Sequence, residues 1–379
     1  MQNLFSTTQG QYLLKRYPAI SKDPLRAWDA GDELMVNYLQ SELTQSLDKS
    51  AKVLIINDQF GALCSALHAF NPTLYTDSYI AQQATQANLQ HNHLGNLRII
   101  NSMQPLVGTY DLVIIKIQKS LAHLEDQLHK LRAHVTPGTK IIGAAMVKML
   151  HTSNLSLFEK IIGPTSTSLA KKKARLIFSQ FSEDLMVKPN PYPETYILDK
   201  NNWPILNHAN VFSRAKLDLG CRFFIDHLPS SQSARDIVDL GCGNGLVGLM
   251  AAKLNPNAQL YFTDESFMAV ASAKENFSHI FGDSTKATFH VDDCLSSKSA
   301  NSADLILNNP PFHQQNAIGD FIALQMFNQA YQTLRTNGEL WVIGNRHLDY
   351  KKKLGNIFKN CVQVTSNGKF VILRAIKKI

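Results

Sequence analysis

The sequence predicts an α/β protein built from two tandem, doubly wound, Rossmann-like sheets. Apolar runs of strand length alternate with amphipathic segments of helix length along the whole chain. The two halves of the 379 residues show similar features in the same order. The second half ends in two strand-like runs around Asn367-Gly368, which predicts a terminal antiparallel hairpin.

The internal repeat appears when one half is laid over the other. Val53–Ile56 leads into residues 57–61 as Ile237–Leu240 leads into residues 241–245. The further matches are Tyr75–Ser78 with Phe262–Ser266, Tyr110–Ile115 with Ala303–Leu307, and Pro137-Gly138 with Asn337-Gly338. We interpret the chain as a duplicated domain whose first copy has degenerated, although two unrelated α/β domains could also look alike.

Composition places a domain boundary in the middle of the chain. Three prolines lie within Lys188–Pro193, and proline interrupts both helices and strand ladders. We therefore expect a degenerate first domain over residues 1–188, a linker over 189–204 and a catalytic second domain over 205–379. The first copy has one glycine, Gly61, where the second has three. Because a Cβ would obstruct a cofactor there, we expect the first domain not to bind the cofactor and to serve substrate recognition or as a scaffold.

Bulk composition limits the class of protein. The five cysteines are scattered, and the 13 histidines form no HExxH motif, so we expect neither a disulfide framework nor a metal site. The N-terminus is polar and no apolar run reaches membrane-spanning length, so we expect a cytoplasmic protein without a membrane partner. We also expect a monomer. The net charge of +8 permits a polyanionic partner but does not require one.

A glycine-rich turn in the second half indicates a cofactor site. Gly241, Gly243 and Gly245 follow a predicted strand and precede a predicted helix, Leu246–Leu254. Glycines allow a tight turn and let a ligand approach the backbone closely. Residues 243–248 also fit the GxGxxG dinucleotide fingerprint, so a nicotinamide-dependent oxidoreductase is an alternative.

The segment Asn309-Pro310-Pro311-Phe312 follows the fourth predicted strand, at the edge where α/β sheets bind ligands. It resembles the signature of enzymes that methylate amines. The side-chain oxygen of Asn309 and the carbonyl of Pro310 can accept both N–H groups of an exocyclic amine, which turns its lone pair toward a methyl donor. Phe312 can stack on a flipped base. A structural Pro-Pro turn followed by a buried aromatic is the alternative.

Three acidic residues of the second half are candidate ligands of S-adenosylmethionine. Asp239, two residues before the first glycine, resembles the acid that methyltransferases use near the methionine end. Asp264 ends the second strand, where a carboxylate can accept ribose hydroxyls, although it could instead cap the next helix. Asp293, preferred over Asp292, follows the third strand, where such enzymes contact the adenine amine. A solvated turn is the alternative for Asp292 and Asp293.

The second half is similar to the small-domain methyltransferases that make N2-methylguanosine in bacterial ribosomal RNA. The segments that carry this resemblance are His208–Ser213, Leu217–Gly220, Asp239–Gly245, Asn309–Gln314 and Asn345–Tyr350. It extends into the first half at Trp28, Asp32-Glu33 and Phe60–Ala62. The chain resembles the large-subunit (23S) enzymes more than their 16S relatives, which share the two-copy plan.

The resemblance implies a class I methyltransferase fold, S-adenosylmethionine as cofactor and a guanine of 23S ribosomal RNA as substrate. It also places Phe212 and Ser213 near the methionine end or the target base, with a helix cap as the alternative for Ser213. The basic residues that could guide RNA are Lys171, Lys172, Lys173, Arg175 and Arg346, with Lys351–Lys353 nearby. A solvated surface is the alternative for these.

Other functions remain open from the residues alone. Methylation of 16S ribosomal RNA, of a glutamine N5 in a release factor or of an adenine N6 in DNA uses the same motif logic. A nicotinamide-dependent oxidoreductase would leave the proline motif and the terminal hairpin unexplained. A non-enzymatic RNA-binding protein with two inactive copies would leave the acids and Asn309 unexplained.

Overall fold

The computed structural model describes residues 3–8, 10–19, 25–43, 48, 50–230, 234–282, 285–311 and 317–378. The chain divides into two compact units, Met1–Tyr192 and Pro193–Ile379. Each unit contains a seven-stranded sheet and a separate two-stranded hairpin. Among the described residues, no helix has both the length and the apolar character needed to cross a membrane.

The first unit alternates strands and helices after an initial hairpin. In chain order its elements are β1 (Leu4–Thr7), β2 (Gly10–Leu13), α1 (Ala30–Tyr38), a π-helical turn (Leu39–Leu43), β3 (Val53–Ile56), α2 (Ala62–Ala66), a 3-10 turn (His68–Phe70), β4 (Thr73–Thr76), α3 (Tyr79–His91), β5 (Arg98–Asn101), β6 (Leu112–Lys116), α4 (Leu121–Arg132), β7 (Lys140–Met146), a 3-10 turn (Val147–Met149), α5 (Thr152–Ile161), β8 (Thr165–Thr167) and β9 (Ala174–Ser179). Its large sheet has the order β5-β4-β3-β6-β7-β9-β8.

The second unit has the same plan. In chain order its elements are β10 (Glu194–Leu198), β11 (Trp203–Asn207), α6 (Leu219–Ile225), β12 (Asp236–Leu240), α7 (Leu246–Leu254), β13 (Gln259–Asp264), α8 (Phe267–Phe281), β14 (Ala287–Val291), β15 (Ala303–Asn308), α9 (Ala317–Thr333), β16 (Leu334–Asn345), α10 (Tyr350–Phe358), β17 (Val362–Ser366) and β18 (Phe370–Ile376). Its large sheet has the order β14-β13-β12-β15-β16-β18-β17.

Counted from the first strand of each sheet, both orders read 3-2-1-4-5-7-6. The first five strands are parallel, and the last strand is antiparallel to both of its neighbours. A dinucleotide-binding sheet instead has the order 3-2-1-4-5-6. The prediction of two tandem doubly wound sheets, the second ending in a hairpin, is therefore confirmed.

The second sheet separates two apolar cores. Leu307 and Ile343 point to the face that is covered by α7 and by Phe224 of α6. Leu240 and Val342 point to the opposite face, which is covered by α9 and α10. Because side chains alternate along a strand, each residue at a strand end can be assigned to one of these faces.

A helix amide in the second unit joins the small hairpin to the glycine turn. The side chain of Asn276 on α8 donates to the carbonyls of Leu206 (2.9 Å) and Asn244 (3.0 Å). Its oxygen accepts the backbone N–H of Leu206 at 2.7 Å. One buried side chain thus holds β11 against the turn that follows β12.

The first unit has an equivalent asparagine that joins its hairpin to its turn. Asn88 on α3 donates to the carbonyls of Lys15 and Phe60, both at 2.8 Å, and accepts the N–H of Lys15 at 2.9 Å. Both amides stand ten positions after the serine that caps their helix, Ser78 or Ser266. The similarity of the two units therefore includes their leading hairpins, which the sequence comparison did not reveal.

The expected linker over residues 189–204 needs correction in its second part. β10 begins at Glu194 and pairs with β11 from Glu194↔Asn207 to Leu198↔Trp203. A segment with this ladder is a structural element rather than a connection. The chain therefore enters the second unit at Pro193, earlier than the expected start at residue 205.

Candidate active site

All three glycines of the turn after β12 have left-handed backbone. The φ values of Gly241, Gly243 and Gly245 are 73°, 53° and 82°. A Cβ on Gly245 would lie 2.8 Å from the Cβ of Ala273, so this glycine serves packing. A Cβ on Gly243 would meet nothing within 4 Å, so the space in front of it is open. Gly243 is therefore the position at which a ligand can approach the backbone.

Asp264 sits at the end of β13 and contacts this turn. Its Oδ2 accepts the backbone N–H of Gly243 at 2.9 Å, and its Oδ1 accepts that of Ser266 at 3.1 Å. The N-cap of α8 is Ser266, which accepts the N–H of Ala269. The helix-cap alternative for Asp264 is therefore wrong, and the carboxylate lies beside the open space at Gly243.

Asp239 lies beneath the turn. Its side chain is buried, with 2% of the residue exposed, and its Oδ2 accepts the N–H of Gly248 at 2.7 Å. That N–H belongs to the first turn of α7, so the carboxyl group fixes the helix start to the strand end. Burial raises the pKa of Asp239 to about 8.

The acids after β14 are buried, which excludes the solvated-turn alternative for them. Both carboxylate oxygens of Asp292 have hydrogen-bond partners within its own loop. They accept the N–H groups of Asp293 and Ser297, both at 2.8 Å. Asp293 accepts a hydrogen bond from Gln325 of α9 at 2.9 Å, and burial raises its pKa. Of the two, Asp293 has the fewer partners and is the better candidate to contact a ligand.

The proline motif follows β15 at the carboxyl edge of the sheet. Asn308, the last strand residue, donates to the carbonyl of Leu240 at 2.8 Å and so ties β15 to the strand before the glycine turn. The Oδ1 of Asn309 is buried and has no hydrogen-bond partner among the described residues. Pro310 is buried, whereas Phe312 lies outside the described residues.

An unpartnered buried amide oxygen is costly, by about 1–3 kcal/mol, and such groups call for an explanation. In Asn309 the oxygen stands at the edge of the sheet where α/β proteins bind ligands. A donor from a ligand would satisfy it. This atom is the most specific chemical feature of the candidate site.

The segment 208–213 runs along α8 toward its N-terminus. The N–H of His208 donates to Ser272 at 3.0 Å, and that of Asn210 donates to the sulfur of Met268 at 3.4 Å. Phe212 is 57% exposed. Ser213 has φ 55° and donates to the carbonyl of Lys216, whereas the N-cap of α6 is Asp218. The helix-cap alternative for Ser213 is therefore wrong.

The predicted RNA-binding residues fall into three settings. Lys171–Lys173 are exposed in the connection between β8 and β9, where Lys172 pairs with Glu33 at 2.8 Å. Arg175 is half-buried within β9, with a buried Nε that has no hydrogen-bond partner among the described residues. Arg346 is exposed directly after β16. The described part of the chain contains no group of His, Cys, Asp and Glu that could hold a metal ion.

Comparison with known proteins assigns each unit to a protein family. Residues 2–183 match the RLMG N-terminal domain family, and residues 202–374 match the methyltransferase small domain family. The chain is 49% identical over 381 residues to the ribosomal RNA large subunit methyltransferase G of Aeromonas salmonicida, with 100% of both chains covered. It is 48% identical to that of Klebsiella pneumoniae, with 97% of this chain and 96% of the relative covered.

The chain belongs to the ribosomal RNA large subunit methyltransferase G family. The resemblance drawn from the sequence is thereby confirmed. Among solved structures, the 16S rRNA N2 G1207 methyltransferase of T. Thermophilus, in complex with AdoMet and guanosine, superposes with a TM-score of 0.74. It shares 18% identity, and 99% of this chain and 97% of that chain are covered. The predicted class I methyltransferase fold is therefore confirmed as well.

Proposed function

We propose that this member of the methyltransferase G family transfers the methyl group of S-adenosylmethionine to the N2 amine of a guanine in 23S ribosomal RNA. The observation that carries the proposal is the buried oxygen of Asn309, which has no hydrogen-bond partner in the part of the chain that the structure describes. The family relatives are named for the large ribosomal subunit, and the solved neighbour is described with AdoMet and guanosine. The product would be N2-methylguanosine.

The residues around the glycine turn fit the cofactor. Open space at Gly243 leaves room for it, and the carboxylate of Asp264 beside this turn suits the ribose hydroxyls. Asp293 would accept from the adenine amine, and Asp239 would support the methionine end from below the turn. Gly241, Phe212 and Ser213 complete the proposed cofactor site, and Gly245 shapes it. When bound, S-adenosylmethionine supplies a methyl group already activated by a sulfonium.

The proline motif would orient the nucleophile. The Oδ1 of Asn309 and the carbonyl of Pro310 accept the two N–H groups of the N2 amine, which directs its lone pair away from the ring. The same two acceptors stabilise positive charge as it develops on the nitrogen. Pro310 is buried, its ring fixes φ and the following Pro311 restricts its ψ, so its carbonyl is preorganised. Phe312 would stack on the flipped base.

The first unit would recognise RNA, and the reaction would take place in the cytoplasm on ribosomal RNA. Lys171–Lys173 are exposed together on one connection, which suits phosphate contacts. Charge reversal of all three lysines should weaken RNA binding and reduce its salt dependence, by about one unit of log–log slope per lost contact. Filter binding at several salt concentrations measures this. Charge reversal at the exposed Lys119, Lys148 and Lys160 is the matched control, and equal effects of both triple variants would refute the assignment.

The central experiment uses the purified full chain and radiolabelled S-adenosylmethionine. Separate reactions receive unmodified 23S ribosomal RNA, 16S ribosomal RNA, DNA or a release factor. Nuclease digestion and chromatography then identify the labelled product. We expect label in N2-methylguanosine from 23S ribosomal RNA alone. Label in a different substrate or nucleoside would replace the proposal with one of the alternative amine methyltransferases.

A further inference from the structure

Three asparagine side chains at one edge of the second sheet share an unusual property. The Oδ1 atoms of Asn308, Asn309 and Asn345 are buried without a hydrogen-bond partner in the described structure. All three stand at the carboxyl ends of the neighbouring parallel strands β15 and β16. Only Asn309 has a role in the proposed chemistry.

Asn308 belongs to the face of the sheet away from the other two. It pairs with Val342, whose side chain lies in the core under α9, and its amide nitrogen contacts the sulfur of Met326 on α9 at 3.5 Å. Its oxygen is therefore enclosed by the packing of that helix. This makes Asn308 a structural residue of the opposite core.

Asn309 and Asn345 share the other face. Asn309 follows Asn308 and comes opposite Ile343 when the register of β15 and β16 is continued by one residue. Asn345 stands two positions after Ile343, so both point to the same side of the sheet. Neighbouring strands lie about 4.8 Å apart and two residues advance about 6.6 Å along a strand, so the two Cα atoms are about 8 Å apart, which two asparagine side chains can span. The two free oxygens therefore line one side of the space next to the proline motif.

The first unit has neither asparagine at the matching positions. Its strand β6 ends in Lys116, which stands where Asn309 stands, because Ile115 and Asn308 are matched by register to Ile56 and Leu240. Lys116 pairs with Ala144 on β7, and two positions further on Met146 stands where Asn345 stands. A thioether is a weak acceptor. The first unit, which has one glycine in the turn where the second has three, thus also lacks the second amide oxygen.

The Watson–Crick edge of guanine carries three adjacent N–H groups, two on N2 and one on N1. Two acceptors, Asn309 and Pro310, are already assigned to the N2 amine. We infer that the Oδ1 of Asn345 accepts the N1–H and thereby selects guanine over amino-purines whose N1 carries a lone pair. This rests on the proposed function, because it concerns the same bound base. Asn345 would be a specificity residue that touches the substrate.

The test varies the base and the side chain together. The guanine that the wild-type chain methylates is first mapped, and RNA fragments are ligated that carry guanine or 2,6-diaminopurine at that position. Both bases have an N2 amine, but only guanine has an N1–H. The ratio of kcat/KM for the two RNAs is measured for wild type, Asn345→Ala and Asn345→Asp.

We expect Asn345→Ala to lower kcat/KM for guanine by about 10- to 100-fold and to leave the diaminopurine value almost unchanged, so that the ratio collapses. Asn345→Asp can only accept, so its preference for guanine should equal or exceed that of wild type. Asn308→Ala, the same residue type on the opposite face, is the control and should keep the wild-type ratio.

The outcomes are distinct. If neither RNA is methylated by the wild-type chain at an N2 amine, the proposed function fails. If wild type methylates guanine and the ratio is the same in wild type and both Asn345 variants, Asn345 has only a structural role and the inference is overturned. Equal loss on both bases in Asn345→Ala has the same meaning.

Discussion

The turn after β3 and the turn after β12 have the same place in their sheets and differ in what fills the space around them. In the first unit the carboxylate of Asp58 accepts the N–H groups of Gly61, Ala62 and Cys64 at 2.8–3.1 Å. These belong to the start of α2, where an anionic ligand would otherwise bind. In the second unit Cys242 takes the place of Asp58, and the carboxyl group at the helix start comes from Asp239 beneath the turn, which accepts the N–H of Gly248. The space in front of Gly243 is left open.

The same contrast holds at the neighbouring strand ends. Lys116, in the place of Asn309, pairs with Asp29 at 2.8 Å and Asp32 at 2.7 Å. Thr76 takes the place of Asp264, because each accepts the N–H of the serine that caps the next helix. The first unit therefore has the same backbone arrangement as the second, but its polar side chains form hydrogen bonds and ion pairs with one another. This supports the interpretation that it is a copy without a cofactor site.

The largest expected effect is on the stability of the first unit. Lys116→Met would leave the nearly buried carboxyl of Asp32 without its cation and should lower the free energy of unfolding by about 3–5 kcal/mol. Denaturant unfolding followed by circular dichroism measures it. The exposed Lys119→Met is the control and should change stability by less than about 0.5 kcal/mol. Similar values for both variants would show that the cluster does not hold the first unit together.

The matching residue of the second unit should affect chemistry instead. Asn309→Ala should lower kcat/KM for methyl transfer by about 10²- to 10³-fold, equivalent to about 2.7–4 kcal/mol, because one of two acceptors for the amine is lost. Calorimetry should give a cofactor affinity near that of wild type, and the free energy of unfolding should not fall, because the oxygen that is removed has no hydrogen-bond partner among the described residues. Wild-type turnover in this variant would contradict the role proposed for the proline motif.

Gly243 should affect cofactor binding, with Gly108 as its control. Gly243→Ala should weaken S-adenosylmethionine binding by about 10-fold or more, because the new methyl group enters the open space at the turn. Gly108 also has a positive φ, 70°, and open space around its Cβ position, so Gly108→Ala carries a similar backbone cost of about 1–2 kcal/mol. Calorimetric titration of both variants separates the two effects. Equal cofactor affinities would place the cofactor away from Gly243.

The smallest effect concerns pH. Burial raises the pKa of Asp239 to about 8 from an ordinary value of 3.8, so between these values the folded chain binds more protons than the unfolded chain. The stabilisation of the folded state that comes from protonated Asp239 is present at low pH and is lost as pH rises toward 8. Asn at this position does not titrate. Compared with Asp239→Asn, wild type should lose about 1.4 kcal/mol of stability per pH unit near pH 6–7. Parallel stability profiles for the two proteins would show that Asp239 is ionised in the folded state.

Local signals made the second unit predictable. The glycine turn, the helix Leu246–Leu254 and the terminal hairpin all lie where the sequence predicts them, because each is determined by residues a few positions apart. The hairpin of β10 and β11 was missed, since its strands follow a proline-rich segment and are held by Asn276, 70 residues after Leu206.

Which residues of the two units correspond was harder to predict from the sequence. Asp77 directly precedes the capping Ser78, whereas Glu265 separates Asp264 from the capping Ser266, so matching by residue type wrongly pairs Asp77 with Asp264. The hydrogen bonds show that Thr76 is the true counterpart. The faces of Asn309 and Asn345 also depend on strand register, which is a non-local property.

The amide of Asn276 has a practical consequence for anyone who wishes to study the second half by itself. A fragment cut at residue 205 would keep Asn276 but lose β10, the partner of the strand that this amide holds. The turn that carries Gly243 would then rest on a single unpaired strand. A fragment that begins at Pro193 or earlier keeps the hairpin and, with it, the support of the turn.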